Sequence, residues 1–286
     1  MPSLIDIRRR IRSVKNTQQI TKAMKMVSAA KLRRAQDRTI ASRPYGGLLR
    51  KMLGNVAAAV AANDHASANP LLARREENRI LLVLITADKG LAGAFNTNLI
   101  KGALKFAAER PNANISFVLI GRKGRDFFRK RAVTTIGEYI NLAAKVRFED
   151  TADIANKAME LFRNEEIDAV YLLFNEFKSV VSQKITLGRL LPAELPEQET
   201  PIDYIYEDPP AEMLDVLLPK YVEMGFYRAL LESAASEHAA RMTAMEAATS
   251  NASEMIDKLT LHMNRVRQAS ITKEIIEVVS GAAAAE

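Results

Sequence analysis

From Phe226 to Ser280 the chain runs 55 residues without a glycine or a proline, and from Ser3 to Arg43 it does so for 41. Glycine and proline are the residues that most often end helices, so the two runs predict two long helices, one at each end of the chain. At 1.5 Å per residue they would span roughly 80 Å and 60 Å. Neither length fits inside one globule, and their apolar seams must pack against each other or against other chains.

Ser3 reads as an N-cap, followed by Leu4, Ile7, Ile11 and Val14 at coiled-coil spacing. The apolar series then resumes at Ile20, Met24 and Val27, which predicts a stutter near Gln18. Arg43-Pro44-Tyr45-Gly46-Gly47 predicts a bend or break, before a further helical segment through Leu48, Leu49, Met52, Leu53, Val56 and Val60. In the C-terminal run a seam passes through Leu231, Ala234, His238, Arg241, Met245, Ala248, Ala252, Met255, Leu259, His262, Val266 and Ala269. Its many alanines make it slim. The segment Arg265–Lys273 is polar on several faces, which suits either a frayed, solvated end or a tip enclosed by another protein.

Between the runs the pattern changes. Arg79–Ile85 is a β-rich apolar run, followed by the glycine loop Asp88-Lys-Gly-Leu-Ala-Gly93 and a helix around Asn98–Arg110. A strand at Ile115–Ile120 leads through Gly121 into a basic helix containing Asp126, Phe127 and Phe128. A helix near Ala152–Asn164 precedes a strand at Asp168–Phe174, and Phe177–Leu187 reads as an added edge strand. This alternation predicts a mostly parallel, Rossmann-like α/β domain, which returns the chain so that the terminal helices can pair antiparallel as a shaft. The expected organisation is a helix over 1–62, a connector over 63–77, an α/β domain over 78–209 and a second helix over 210–286. Pro219 is placed to kink the last of these.

Charge and chemistry narrow the function. Of the net +7, residues 1–43 hold twelve Lys or Arg against Asp6 and Asp37, so this stretch carries +10 and the rest −3. Such a helix invites an acidic partner, whether nucleic acid, anionic lipid or an acidic protein surface. Zero cysteines exclude disulfides and thiol chemistry, and the three histidines, His65, His238 and His262, do not cluster. No metal site, catalytic set or cofactor is expected. The 86–96 loop lies where α/β proteins hold phosphate, but it matches neither the dinucleotide glycine pattern nor the nucleotide loop ending in Gly-Lys-Ser/Thr. A tight turn is the favoured reading. No apolar stretch reaches the roughly 20 residues that span a bilayer, and no targeting segment is recognised, so a soluble, cytoplasmic protein is expected. A nucleic-acid-binding coiled coil and a nucleotide-dependent α/β enzyme are the competing readings of these features.

The segment Ile271-Thr-Lys-Glu-Ile-Ile-Glu-Val-Val-Ser-Gly-Ala-Ala-Ala284 resembles the signature of the γ-subunit family of F-type ATP synthases. So do Arg12–Val27, Ala41–Tyr45, Ser236–Met245, Asp88–Gly93 and Tyr204–Glu207. The resemblance implies a central rotor shaft, one copy per complex, standing in a ring of three α and three β subunits above an ε subunit and a membrane c-ring. It implies no catalytic site, cofactor, nucleic-acid partner or membrane insertion. Met24, Lys25 and Arg241 match positions facing an acidic lever of the β subunits. Arg267, Gln268 and Thr272 match upper-shaft contacts to a β-subunit loop, and Tyr204 and Glu207 match positions beside the c-ring. A bacterial type on the cytoplasmic face of the inner membrane is implied, without the thiol switch of chloroplast versions.

Overall fold

A computed structural model describes residues 3–62, 69–144, 146–195 and 207–283. The elements, in chain order, are α1 (Leu4–Ala62), β1 (Arg79–Ile85), α2 (Phe95–Ala108), β2 (Asn114–Ile120), α3 (Arg122–Phe128), β3 (Thr134–Tyr139), α4 (Phe148–Arg163), β4 (Ala169–Phe177), β5 (Gln183–Leu191) and α5 (Pro210–Ala283). Two compact units are built from them: Met1–Ser28 with Met242–Glu286, and Ala29–Arg241.

The larger unit holds a five-stranded sheet in the order β3-β2-β1-β4-β5. The first four strands are parallel and β5 runs antiparallel to β4 at the edge. The central strand β1 is buried on both faces from Ile80 to Ile85, which requires its unbroken Ile-Leu-Leu-Val-Leu-Ile. Leu81, Val83 and Ile85 enter a core with α4, the end of α1 and the first part of α5, while Ile80, Leu82 and Leu84 meet α2 and α3. The mostly parallel α/β fold agrees with the sequence reading. Strand β3 has no counterpart in that reading, because Thr134–Tyr139 has no apolar run and alternates between exposed and half-buried positions. Strand β4 extends to Phe177, so the edge strand begins at Gln183, six residues later than expected.

The expected break at Pro44 does not occur, and α1 continues unbroken through it. Pro44 lies on the exposed side, where the Ile40 carbonyl that loses its amide partner can reach water. The packed side carries Leu32, Thr39, Ser42, Gly46, Leu49, Leu53, Val56 and Val60, so burial holds the helix across the breaker. Helix α5 likewise runs through Pro219, and it begins at Pro210, well before Gly225.

In the smaller unit the two helices pair antiparallel: as the α1 residue rises from Gln18 through Thr21 to Lys25, its α5 partner falls from Ser253 through Thr249 to Glu246. Ser3 caps α1 in a reciprocal box, its Oγ accepting from the Asp6 amide at 3.2 Å while its own amide donates to the Asp6 carboxylate at 3.2 Å. The expected stutter is absent. The covered positions are Leu4, Ile7, Ile11, Val14, Gln18, Thr21, the Met24/Lys25 pair and Ser28, an unbroken heptad series. Ile20 and Val27 face outward. In α5 the covered line passes Met245, Thr249, Ala252, Ile256, Leu259 and Met263. Met255 and His262, assigned to the seam from sequence, are exposed one step off it. The cause is the same in both helices: the seam here is partly polar, so following the large apolar residues leads off it.

Candidate functional site

The first constellation lies in the larger unit, at the carboxyl ends of β1 and β4. These strands are neighbours although the chain winds away from β1 in opposite directions to β2 and to β4, which makes the gap between them the crevice where open α/β sheets bind ligands. On the other side of β1, towards β2 and β3, polar groups tie down the loop that borders it. Thr86 Oγ1 donates to the Ile120 carbonyl at 2.9 Å and accepts from the Gly124 amide at 2.9 Å. The Asp88 carboxylate accepts the Arg122 amide at 3.1 Å, at the start of α3, and the Asn141 amide at 3.0 Å. Asn96 Oδ1 accepts the Ala87 amide at 2.9 Å. Four backbone amides that a phosphate could use are therefore occupied, two of them by a carboxylate that would repel it.

Helix α5 passes over this crevice. Ser236 is fully buried and its Oγ donates to the Asn175 carbonyl near the end of β4 at 3.0 Å. The Arg241 guanidinium, with a side chain 9% exposed, pairs with Glu237 at 2.7 Å. It also donates to the carbonyls of Lys89 at 3.2 Å and Gly90 at 3.3 Å. His238 Nδ1 lies 3.4 Å from the same guanidinium. Burial, reinforced by the charges of Arg241 and Lys31, lowers the His238 pKa to about 4, so it is neutral near pH 7. Burial raises the pKa of Glu237, and the charge and hydrogen bond of Arg241 oppose that rise.

The second constellation is the outer surface of the helix pair in the smaller unit. Arg8, Arg9, Arg10, Arg12, Lys15 and Lys22 are exposed, interleaved with exposed Ile5, Ile20, Met26 and Val27. Met24 is half-buried, and half-buried Lys25 holds Glu246 at 2.6 Å. Arg267, Gln268 and Thr272 are exposed on α5. If the observed register is carried back to Leu4, α1 covers α5 only to about residue 267. Beyond that point Ile271, Ile275, Ile276, Val278 and Val279 stand 49–72% exposed. Sequence reasoning stresses the polar residues of this end and passes over its aliphatic ones; the signal is a β-branched apolar cluster on a helix that outruns its partner. Glu207 is exposed, whereas Tyr204 and His65 lie outside the described residues. The two constellations bring the sequence-predicted residues together only in part. Met24 and Lys25 share one surface, and Arg241 sits enclosed in the crevice.

A family profile described as ATP synthase matches residues 3–285. The ATP synthase gamma chain of Solibacter usitatus (strain Ellin6076) is 81% identical over 286 residues, covering all of both chains. The chain belongs to the ATP synthase gamma-chain family. The gamma chain of Pelotomaculum thermopropionicum is 50% identical over 289 residues, again covering all of both chains. Among solved structures, a central-stalk chain of the Tetrahymena thermophila mitochondrial ATP synthase is 28% identical with a TM-score of 0.61, covering 80% of this chain and 99% of that one. A chain of the Euglena gracilis mitochondrial ATP synthase shares the fold at a TM-score of 0.68 and 19% identity, covering 98% of this chain and 94% of that one. As a gamma-family chain it is a peripheral part of a membrane-bound complex, and among the described residues no helix is long and apolar enough to cross a membrane.

Proposed function

We propose that this chain is the central-stalk rotor of a bacterial ATP synthase, turning with a membrane c-ring inside a ring of three α and three β subunits, one copy per complex. The observation that carries the reading is the end of α5, where five aliphatic side chains pass beyond the cover of α1. Covering what remains exposed on each is worth about 1–2 kcal/mol, so a surrounding apolar sleeve has a basis for holding the tip without fixed polar bonds. The exposed arginines and lysines of α1, with half-buried Met24 and Lys25 beside them, suit the acidic lever of the β subunits. Arg267, Gln268 and Thr272 are free to meet a β-subunit loop near the tip. Tyr204 and Glu207 are assigned to the foot, beside the ε subunit and the c-ring.

The chain makes and breaks no bond of its own. Its surface differs around its circumference, so each β subunit meets a different face as the rotor turns, and each nucleotide site is biased by the difference in contact energy between its states. The proton-driven c-ring supplies the rotation. The bacterial relatives support a place on the cytoplasmic face of the inner membrane. Reconstitution with purified α and β subunits tests the reading. We expect Mg-ATPase assembly only when this chain is present, and equal activity without it would overturn the proposal.

A further inference from the structure

The crevice between β1 and β4 is the place where a sheet of this winding exposes unpaired backbone groups and takes a ligand. Here its occupant is a segment of the same chain. Ser236 reaches the Asn175 carbonyl on the β4 side, and Arg241 reaches the Lys89 and Gly90 carbonyls on the β1 side. The groups it binds are carbonyls, which calls for a donor with no acceptor, and guanidinium is the side chain that offers several donors in a fixed fork. Glu237 lies one turn before Arg241 on α5 and balances its charge at 2.7 Å in a site where both side chains are 9% exposed. The other titratable or charged groups facing this pair are His238 on α5, Lys31 on α1 and Asp88 in the loop.

Resting on the rotor reading above, we propose that Ser236, Glu237 and Arg241 form a built-in clasp that locks the α/β module to helix α5, with Arg241 as a positioning residue for the Lys89–Gly90 loop. Torque entering the α/β module then passes to the helix through these bonds as well as through the apolar core. Arg241 therefore acts on a partner indirectly. Its own charge is enclosed and matched by Glu237, while the exposed Lys89 side chain is held outward by the backbone that Arg241 grips.

Glu237 distinguishes this role from an outward-facing charge. If Arg241 served an acidic partner directly, Glu237→Gln would leave that contact intact. In a clasp, Glu237→Gln strands a buried guanidinium and Arg241→Met strands a buried carboxylate, whereas the double variant strands neither. The full-length chain is first examined by hydrogen exchange at the Ala87 and Arg122 amides, which the loop's own side-chain bonds protect. We expect each single variant to speed their exchange by on the order of tenfold or more, and the double variant to do so by less than the product of the two. The reconstituted, membrane-bound complex is then scored for protons pumped per ATP hydrolysed, with Arg241→Lys as the conservative rescue. Both single variants should lower that ratio while assembly persists, and Arg241→Lys should restore part of it. Unchanged exchange in Glu237→Gln overturns the clasp. Faster exchange with an unaltered pumping ratio overturns its mechanical role. A wild-type complex whose activity does not need this chain overturns the rotor reading instead, and leaves the exchange result standing by itself.

Discussion

Gly121 stands at the hinge between β2 and α3 with φ 93° and ψ 142°, a backbone conformation that only glycine adopts without strain. A Cβ there would lie 2.1 Å from the Thr86 carbonyl oxygen, 2.6 Å from its carbon and 2.9 Å from its Oγ1. The first two are backbone atoms of the adjoining loop, so no rotamer change relieves the overlap. Relief requires moving Thr86, which breaks its Oγ1 bonds to the Ile120 carbonyl and the Gly124 amide, both buried. Strain of about 1–3 kcal/mol and two buried hydrogen bonds at about 1–3 kcal/mol each bring Gly121→Ala to roughly 3–9 kcal/mol. That is a large share of the roughly 5–15 kcal/mol that holds a domain together. Two further glycines separate the causes. Gly93 has φ 55° with nothing within 4 Å of the place a methyl would occupy, so Gly93→Ala carries backbone strain alone, about 1 kcal/mol. Gly188 has neither problem, and Gly188→Ala should fall within about 1 kcal/mol of wild type. Urea unfolding followed by far-UV circular dichroism gives the three values. A Gly121→Ala chain within about 1 kcal/mol of wild type, or as mild as Gly93→Ala, would refute the reasoning.

Asp168 accepts from the Arg79 amide and guanidinium at 2.6–3.2 Å, and these hydrogen bonds hold its carboxyl below the usual carboxylate range. Its stabilisation is therefore complete above the unfolded carboxyl pKa and is lost as pH falls through the depressed folded value; Asp168→Asn should cost about 1–2 kcal/mol at pH 7 and progressively less below about pH 4, and an equal cost at pH 7 and pH 2 in urea titrations would count against it. His238 has the opposite charge type: its folded pKa of about 4 lies below the unfolded one, so the folded state loses stability as pH falls from about 6.5 towards 4. His238→Gln should flatten the stability profile in that window, and a profile unchanged by the substitution would refute the assignment. Thr21 and Thr249 meet through their hydroxyl oxygens at 2.8 Å, where two sulfurs would bond. Because the chain has no cysteine, Thr21→Cys with Thr249→Cys should give one intramolecular disulfide on oxidation, seen by mass spectrometry, and its absence would sink the register.

The elements that sequence makes plain are those whose burial is apolar and continuous. Strand β1 is legible because both of its faces are covered, and the two terminal helices because no glycine or proline interrupts Ser3–Arg43 or Phe226–Ser280. Strand β3 is hidden because an edge strand with one half-buried face needs little hydrophobicity. The seam of the helix pair is misread at Ile20, Val27, Met255 and His262 for a related reason. In a lone amphipathic helix the large apolar side is the buried side, but these helices carry apolar residues on the outer side too, and polar ones between them. Arg241 is recognisable as a functional position by resemblance, yet nothing in its spacing reveals that it lies against Lys89 and Gly90, some 150 residues earlier. That contact exists only once β1 and β4 are neighbours.

A seam of methyl groups can slide, since one leucine serves a hole about as well as the next. The stretch from Gln18 to Lys25 cannot. Moved one heptad along α5 towards its C-terminus, Thr21 would face Ile256 and Lys25 would face Ser253, so a hydroxyl would lose its mate and an ammonium its carboxylate. Directional bonds give this stretch the teeth of a spline. Sliding one helix along the other must first break these bonds, so they oppose creep between Ser28 and Gln18.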